Sequence, residues 1–126
     1  MKKILFICHG NICRSPMGEM ILKHMLRERG REQEFVVASA ATSTEEIGNP
    51  IYPPARAELA RNGIPVEKRR ARQVTKGEYA DWDVFLCMDH YNVRNLHRIF
   101  GSDPEGKIHL LMDYTSRPGE VSDPWY

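Results

Sequence analysis

Four short, mostly apolar runs punctuate the chain: Ile4-Leu5-Phe6-Ile7, Phe35-Val36-Val37, Val84-Phe85-Leu86-Cys87 and Ile108-His109-Leu110-Leu111. The first is continuous rather than alternating, the pattern of a strand covered on both faces. Helical spacing fills the intervals. Met17, Met20, Ile21, His24, Met25 and Glu28 follow one another at the right separations, Pro16 suits a first turn and Gly30 a stop. Pro53 and Pro54 open a second helix that Asn62-Gly63 closes. Thr75 and Glu78 have capping-box spacing, and Asp89 is placed to cap a helix carrying Val93, Leu96, His97 and Phe100. The polar stretch from Ser39 to Pro54 is long for a connector, and everything from Asp113 to Tyr126 reads as loop. Strands alternating with helices predict a parallel sheet with right-handed crossovers. The expectation is a single three-layer α/β domain over residues 1–126. Its central four-stranded parallel sheet carries helices on both faces, with the first strand in the middle.

In such sheets ligands bind beyond the carboxyl ends of the strands, and the first strand ends at Cys8. The loop that follows, Cys8-His9-Gly10-Asn11-Ile12-Cys13-Arg14-Ser15-Pro16, holds two of the chain's three cysteines. Read singly, Cys8 and Cys13 are small residues of the kind cores absorb. At the start of a helix, beside Arg14 and Ser15, the pattern acquires a chemistry. A helix N-terminus offers unpaired N–H groups and the positive end of a dipole, which bind anions and favour a thiolate. Arg14 adds a planar fork of donors matched to phosphate oxygens. Gly10 lets the backbone turn its N–H groups inward, and Asn11 tolerates a left-handed conformation. A nucleophilic thiolate inside an oxyanion cradle is what attack on a phosphoryl group requires.

The same residues match the cysteine, five residues, arginine signature of phosphatases that form a phosphocysteine intermediate. The chain most resembles the low-molecular-weight protein tyrosine phosphatases. The resemblance extends through "SAATSTEEIGNP" (39–50), "ARQVTKGEYADWDVFLCMD" (71–89) and "DPWY" (123–126), in the family's order. It implies hydrolysis of phosphotyrosine in proteins, with Cys8 as nucleophile, Arg14 as phosphate clamp and Asp123 as general acid. His9, Gly10, Asn11, Ile12, Cys13 and Ser15 then form the phosphate-binding loop, and Ser15 assists departure of the cysteine in the second step. Ser39 supports the loop together with Asn11. Trp125 and Tyr126 match the aromatic pair at the mouth of the site, and Glu45 falls near the substrate cleft, where relatives carry an aromatic residue. Composition alone would make Asp123 a turn residue, the aromatics core residues and Glu45 a solvated loop carboxylate. The family often places a histidine before Ala71-Arg72-Gln73, where this chain has Arg69 and Arg70. That leaves the loop's supporting network incomplete or differently closed. Relatives also continue beyond the Asp-Pro-aromatic-aromatic loop into a helix that packs on the sheet, so this chain is expected to lack that helix.

Composition narrows the rest. The formal net charge of +1 gives no global reason for nucleic acid or a membrane surface as partner. Ile4 to Cys8 is too short for a signal peptide or a span, and an odd cysteine count argues for reduced thiols in the cytoplasm. The partners expected are a phosphotyrosine-containing protein substrate and inorganic phosphate or another oxyanion in the site, with no cofactor and no metal. A monomer is expected, a weak dimer being the alternative. Two neighbouring activities stay open. A related subfamily acts on phosphoarginine, but carries threonine where this chain has Ile12. Arsenate-reductase-like redox chemistry would use Cys8 and Cys13 but needs a further cysteine pair, and only Cys87 remains, in a strand expected to bury it inertly. A metal site on Cys8, His9 and Cys13 lacks a fourth ligand. A module that only binds phosphoproteins would not need Asp123. Within the loop, Cys13 is either a resolving thiol for an oxidised Cys8 or simply packed beneath the loop.

Overall fold

Residues 4–8 are buried without interruption because their strand lies between two others and under helices on both sides. The computed structural model describes residues 1–115 and 119–121. It contains strands β1 (Lys2–Cys8), β2 (Phe35–Ala41), β3 (Val84–Cys87) and β4 (Ile108–Leu110), and helices α1 (Arg14–Glu28), α2 (Pro53–Arg61) and α3 (His90–Phe100). All strand pairs are parallel and the order is β2-β1-β3-β4, with β1 central. The chain therefore winds outward in one direction through β1 and β2 and in the other through β3 and β4. Right-handed crossovers of opposite sense put α1 and α3 on opposite faces.

The alternation of β1 sorts the core into two halves. Leu5 and Ile7 pack with Ala40, Phe85, Cys87, Leu96 and Phe100 on the α3 side. Ile4, Phe6 and Cys8 pack with Leu26, Val37, Leu86 and Met88 on the α1 side. A third cluster, Met20, Ile51 and Leu59, fills the seam between α1 and α2. Cys8 thus belongs to the α1 face, at the last position of the strand. Among the described residues no helix is long and apolar enough to cross a membrane.

Most of the elements lie where the pattern puts them. Asp89 caps α3 through its Oδ1, which accepts from Asn92 N–H at 2.8 Å, and Thr75 with Glu78 forms a capping box, although on a 3-10 turn, Lys76–Ala80. Burial alone would raise the pKa of Glu78; hydrogen bonds from Arg72 and Thr75 more than reverse it and hold the carboxyl below its ordinary value.

Three readings change. First, β2 runs on through Ser39-Ala40-Ala41, residues assigned by composition to the polar stretch. Their small side chains fit the space beside Phe6 to Cys8 in the register Phe6↔Ser39, Ile7↔Ala40, Cys8↔Ala41. Second, the residues after Leu110 begin with a 3-10 turn, Leu111–Tyr114. Third, α1 buries only part of the stripe its apolar residues mark, Met20 among them. Ile21 and Met25 are 38% and 41% exposed, whereas Ser15, Glu19, Met20 and Leu26 are buried. The helix is rotated by about one residue because its inward stripe carries Ser15 and Glu19, polar side chains needed beneath the loop.

The close approach of α1 to the sheet depends on Gly18. A Cβ there would stand 2.7 Å from Phe6 Cδ1 and 2.9 Å from Cε1, and Phe6 is itself buried. Gly18→Ala should therefore destabilise the protein despite the gain in helix propensity of about 1 kcal/mol. Overpacking of this kind costs about 1–3 kcal/mol, for a net loss of up to about 2 kcal/mol, readable as a lowered urea midpoint at unchanged slope. A raised midpoint would show that α1 can move away from Phe6 at no cost.

Candidate active site

The site grows from the end of β1. Cys8 is its last residue, and the chain then turns through 9–13 into α1, whose N-cap is Cys13 and whose first residue is Arg14. The turn is possible because Asn11 adopts φ 59°, the only positive φ among the described non-glycine residues. Gly10, which the sequence offered as the flexible position, has no positive φ; a Cβ on it would instead stand 3.2 Å from Glu46 Cγ.

The Cys8 sulfur sits at the helix N-terminus. Asn11 N–H and Ser15 N–H point to it, at 3.2 and 3.4 Å, and Ser15 Oγ lies 2.9 Å away. Beneath the loop is a buried polar cluster. Asn11 Nδ2 donates to Ser15 Oγ at 2.8 Å and to Ser39 Oγ at 2.9 Å. Ser39 Oγ donates in turn to Glu19 Oε1 at 2.6 Å, and Lys23 Nζ bridges Glu19 (2.6 Å) to Glu67 (3.0 Å). Burial pulls the Lys23 pKa down, but the two carboxylates outweigh it and hold the ammonium above its usual value. Ser39 reaches the cluster because the unforeseen extension of β2 places it directly beside Phe6 on the α1 face.

Arg14 is almost wholly buried. Its Nη1 donates to Asp89 Oδ2 at 2.7 Å and to the Val121 carbonyl at 2.9 Å. Asp89 follows β3, so the strand order reverses between the two strands that supply Cys8 and the partner of Arg14. Sequence reasoning gave Asp89 only its capping role. Its position just past the carboxyl end of a strand next to β1 was the available signal. Val121 N–H donates to the Met88 carbonyl at 2.7 Å, and Glu120 accepts from His90 N–H at 2.6 Å. The segment is thereby docked on the start of α3, beside Arg14.

The polar stretch after β2 wraps the loop from the other side. Thr42 N–H donates to Cys8 O, Ser43 N–H and Oγ to His9 O, and Tyr52 N–H to Ile12 O. Glu45 Oε2 lies 3.0 Å from His9 Nε2 at the rim. Ile12 is buried, and Cys13, for which the sequence left a resolving and a packing role open, is half-buried at the helix cap. Segment 71–74 runs along the far side of β2, with Ala41 N–H donating to Arg72 O at 2.7 Å and Val74 N–H to Ala41 O at 2.8 Å. This brings Arg69 to the loop. Its Nη1 donates to Asn11 O at 2.8 Å and its Nη2 to Asn11 Oδ1, while Arg72 N–H reaches the same Oδ1 at 3.2 Å. The network is differently closed rather than incomplete. Arg69 was visible in the sequence only as a departure from a pattern.

Cys87 is fully buried on the α3 face, and burial, reinforced by Asp89 and Cys8, pushes its thiol far above the ordinary range. It plays no part in the constellation. Asp123, Trp125 and Tyr126 lie outside the described residues.

The family model described as low molecular weight phosphotyrosine protein phosphatase matches residues 3–126. A human protein of that name is 39% identical over 128 residues, covering 99% of this chain and 80% of the relative. The low molecular weight protein-tyrosine-phosphatase YfkJ of Bacillus subtilis is 36% identical over 128 residues, covering 100% of this chain and 82% of the relative. The crystal structure of YfkJ matches with a TM-score of 0.95 at 35% identity, covering 100% of this chain and 80% of that one. The protein tyrosine phosphatase SP-PTP of Streptococcus pyogenes gives a TM-score of 0.88, also at 35% identity and over 100% of this chain and 79% of that one. With a loop that turns a strand-end cysteine onto a helix N-terminus, and with likeness along its whole length, the chain belongs to the low molecular weight phosphotyrosine protein phosphatase family.

Proposed function

We propose that the protein hydrolyses phosphotyrosine in proteins through a phosphocysteine intermediate. The observation that carries the reading is the Cys8 sulfur held at the N-terminus of α1 by Asn11 N–H, Ser15 N–H and Ser15 Oγ. In the first step the Cys8 thiolate attacks phosphorus. The bond from phosphorus to the phenolic oxygen breaks, and Asp123 gives its proton to that oxygen. The loop N–H groups and Arg14 carry the charge on the three equatorial oxygens. In the second step water attacks phosphorus and gives a proton to Asp123. The sulfur–phosphorus bond breaks, and inorganic phosphate and the thiolate are released, the latter eased by the Ser15 hydroxyl.

The assignment of Asp123 rests on the family's Asp-Pro-aromatic-aromatic segment. It is supported by the docking of Val121, two residues earlier, through the hydrogen bond from Arg14. Arg14 is held in place by Asp89, so its fork is oriented before substrate arrives, which lowers the cost of ordering it on binding. Ile12 offers an apolar side chain where a guanidinium-recognising loop would need a polar one. This favours phosphotyrosine over phosphoarginine.

p-Nitrophenyl phosphate should be hydrolysed in the presence of a chelator, and Cys8→Ser should abolish it. Phosphotyrosine peptides should be turned over much faster than phosphoserine or phosphoarginine peptides. The reverse order between tyrosine and arginine would transfer the protein to the phosphoarginine class.

Asp123→Ala should reduce kcat by about 10²–10⁴-fold for aryl phosphates with basic leaving groups and far less for highly activated ones. Equal losses across a series of leaving groups would remove Asp123 from the acid role.

Glu45, exposed beside His9, places a carboxylate at the rim of the site. It should disfavour peptides with acidic residues flanking phosphotyrosine. Glu45→Gln should raise kcat/KM for such peptides by about 2–5-fold at low salt, an effect lost near 1 M salt, and leave p-nitrophenyl phosphate unchanged. A salt-independent change would point to shape instead of charge.

A further inference from the structure

Arg69 stands in the neighbourhood where the resemblance leads one to expect a histidine, and its guanidinium grips one residue twice. Nη1 holds the main-chain oxygen of Asn11 and Nη2 holds the side-chain Oδ1 of the same residue. We infer that Arg69 is a positioning residue for the reaction: its rigid fork locks the main chain of Asn11 to its own side chain and thereby fixes which way the hydrogen bonds run toward the Cys8 sulfur. The inference rests on the phosphatase reading of the site.

The first part of the argument is conformational. Asn11 has φ 59° and is wholly buried, so its left-handed backbone must be held by its surroundings. Its N–H is one of the two main-chain groups aimed at the sulfur. Freedom in the φ and ψ of Asn11, which join the peptide carrying that N–H to the peptide carrying the carbonyl, would swing the N–H away. A fork that fixes O and Oδ1 at once removes this freedom, as one ammonium on a flexible stem does not.

The second part is directional. Arg69 and the Arg72 N–H can only donate, so the Asn11 atom facing them must be the oxygen. The amide nitrogen then faces Ser15 Oγ and Ser39 Oγ and must donate to both. Ser15 Oγ, having accepted from Asn11, has its own proton free for the Cys8 sulfur 2.9 Å away, and a thiolate there can only accept it. Ser39 Oγ, having accepted likewise, gives its proton to Glu19. The order of donation thus runs from Arg69 through Asn11 and Ser15 to the sulfur. This is the sense that assists a departing thiolate in the second step. Burial lowers the pKa of Arg69, and the neighbouring charges of Glu19 and Cys8 oppose that shift. The guanidinium stays a donor throughout.

Arg69→Ala, Arg69→Lys, Asn11→Ala and the Asn11→Ala/Arg69→Ala double variant separate these parts. With p-nitrophenyl phosphate, Arg69→Ala should lower kcat by about tenfold or more, with a smaller change in KM, because the loss falls on placement within the site. Arg69→Lys keeps the charge without the fork and should recover less than half of the lost activity. The double variant should be no slower than Asn11→Ala alone, since Arg69 acts through Asn11. Full recovery in Arg69→Lys, kcat within twofold of the parent in Arg69→Ala, or additive losses in the double variant would each overturn the inference. If Arg69→Ala fails to fold by circular dichroism, Arg69→Lys carries the same comparison. A second readout does not need turnover: the alkylation rate of Cys8 by iodoacetamide, followed by mass spectrometry of its peptide. It should change at least threefold in Arg69→Ala. A parent inert toward phosphate esters, with that change intact, would overturn the phosphatase reading and keep the positioning. Equal alkylation rates would overturn the positioning whatever the activity.

Discussion

Burying an asparagine in a left-handed turn beneath the Cys8 sulfur is the constraint around which this structure is arranged. Asn11 has no solvent contact, and a buried amide or carbonyl left without a partner costs about 1–3 kcal/mol. Each of its polar groups therefore needs a neighbour, and the neighbours come from three separate parts of the chain. Ser15 comes from α1, Ser39 from β2, and Arg69 and Arg72 from the segment before the 3-10 turn. Meeting that demand has structural consequences. β2 must run on to Ala41 so that Ser39 reaches the loop. The segment at 71–74 must pair with Ala41, and α1 must turn Ser15 and Glu19 inward. Glu19, once buried, requires Lys23, and Lys23 in turn reaches Glu67.

The sheet supplies the frame for this arrangement. Because winding reverses between β1 and β3, the chain leaves these neighbouring strands toward opposite faces, and such a switch point is where open α/β sheets place their ligand crevice. Cys8 stands on one side of it and Asp89 on the other, and Arg14 spans the two. Asp89 has two tasks there with one oxygen for each: Oδ1 caps α3 and Oδ2 holds the guanidinium. The rigidity of a capped helix is thereby passed to the side chain assigned to the phosphate.

Much of this was legible because it depends on local rules. Continuous apolar runs marked β1 and β3, and Asp89 and Thr75–Glu78 announced their helix starts. The loop's cysteine and asparagine marked, from residue types alone, the tight turn that brings a strand-end thiol onto a helix N-terminus. What stayed hidden is tertiary. Ser39-Ala40-Ala41 carries too little hydrophobic bulk to read as a strand, yet small residues are what the space beside the loop admits. Ile21 and Met25 pointed to the wrong face of α1, since periodicity counts apolar residues and the face that matters here carries Ser15 and Glu19. Arg69 belongs to a basic run that looks like any solvated surface, and nothing local says that one of its members turns inward. Sequence logic failed where buried polar side chains replaced apolar ones, which is where function departs from packing.

The two cysteines at the ends of neighbouring strands illustrate how little separates a thiol set at a helix N-terminus from one sealed in the core. Cys87 pairs with Ile7 across the ladder, so it lies one step short of Cys8 along the sheet. That single step puts it on the opposite face, under α3, among Leu5, Phe85 and Leu96. There it meets no helix N-terminus, and burial holds its proton on. One residue further and one face over, Cys8 meets two main-chain N–H groups and a hydroxyl. The alternation of a parallel strand and the point at which it stops select the thiol. The loop that follows then has to keep the donors aimed at it, and the polar cluster under Asn11 supplies that restraint.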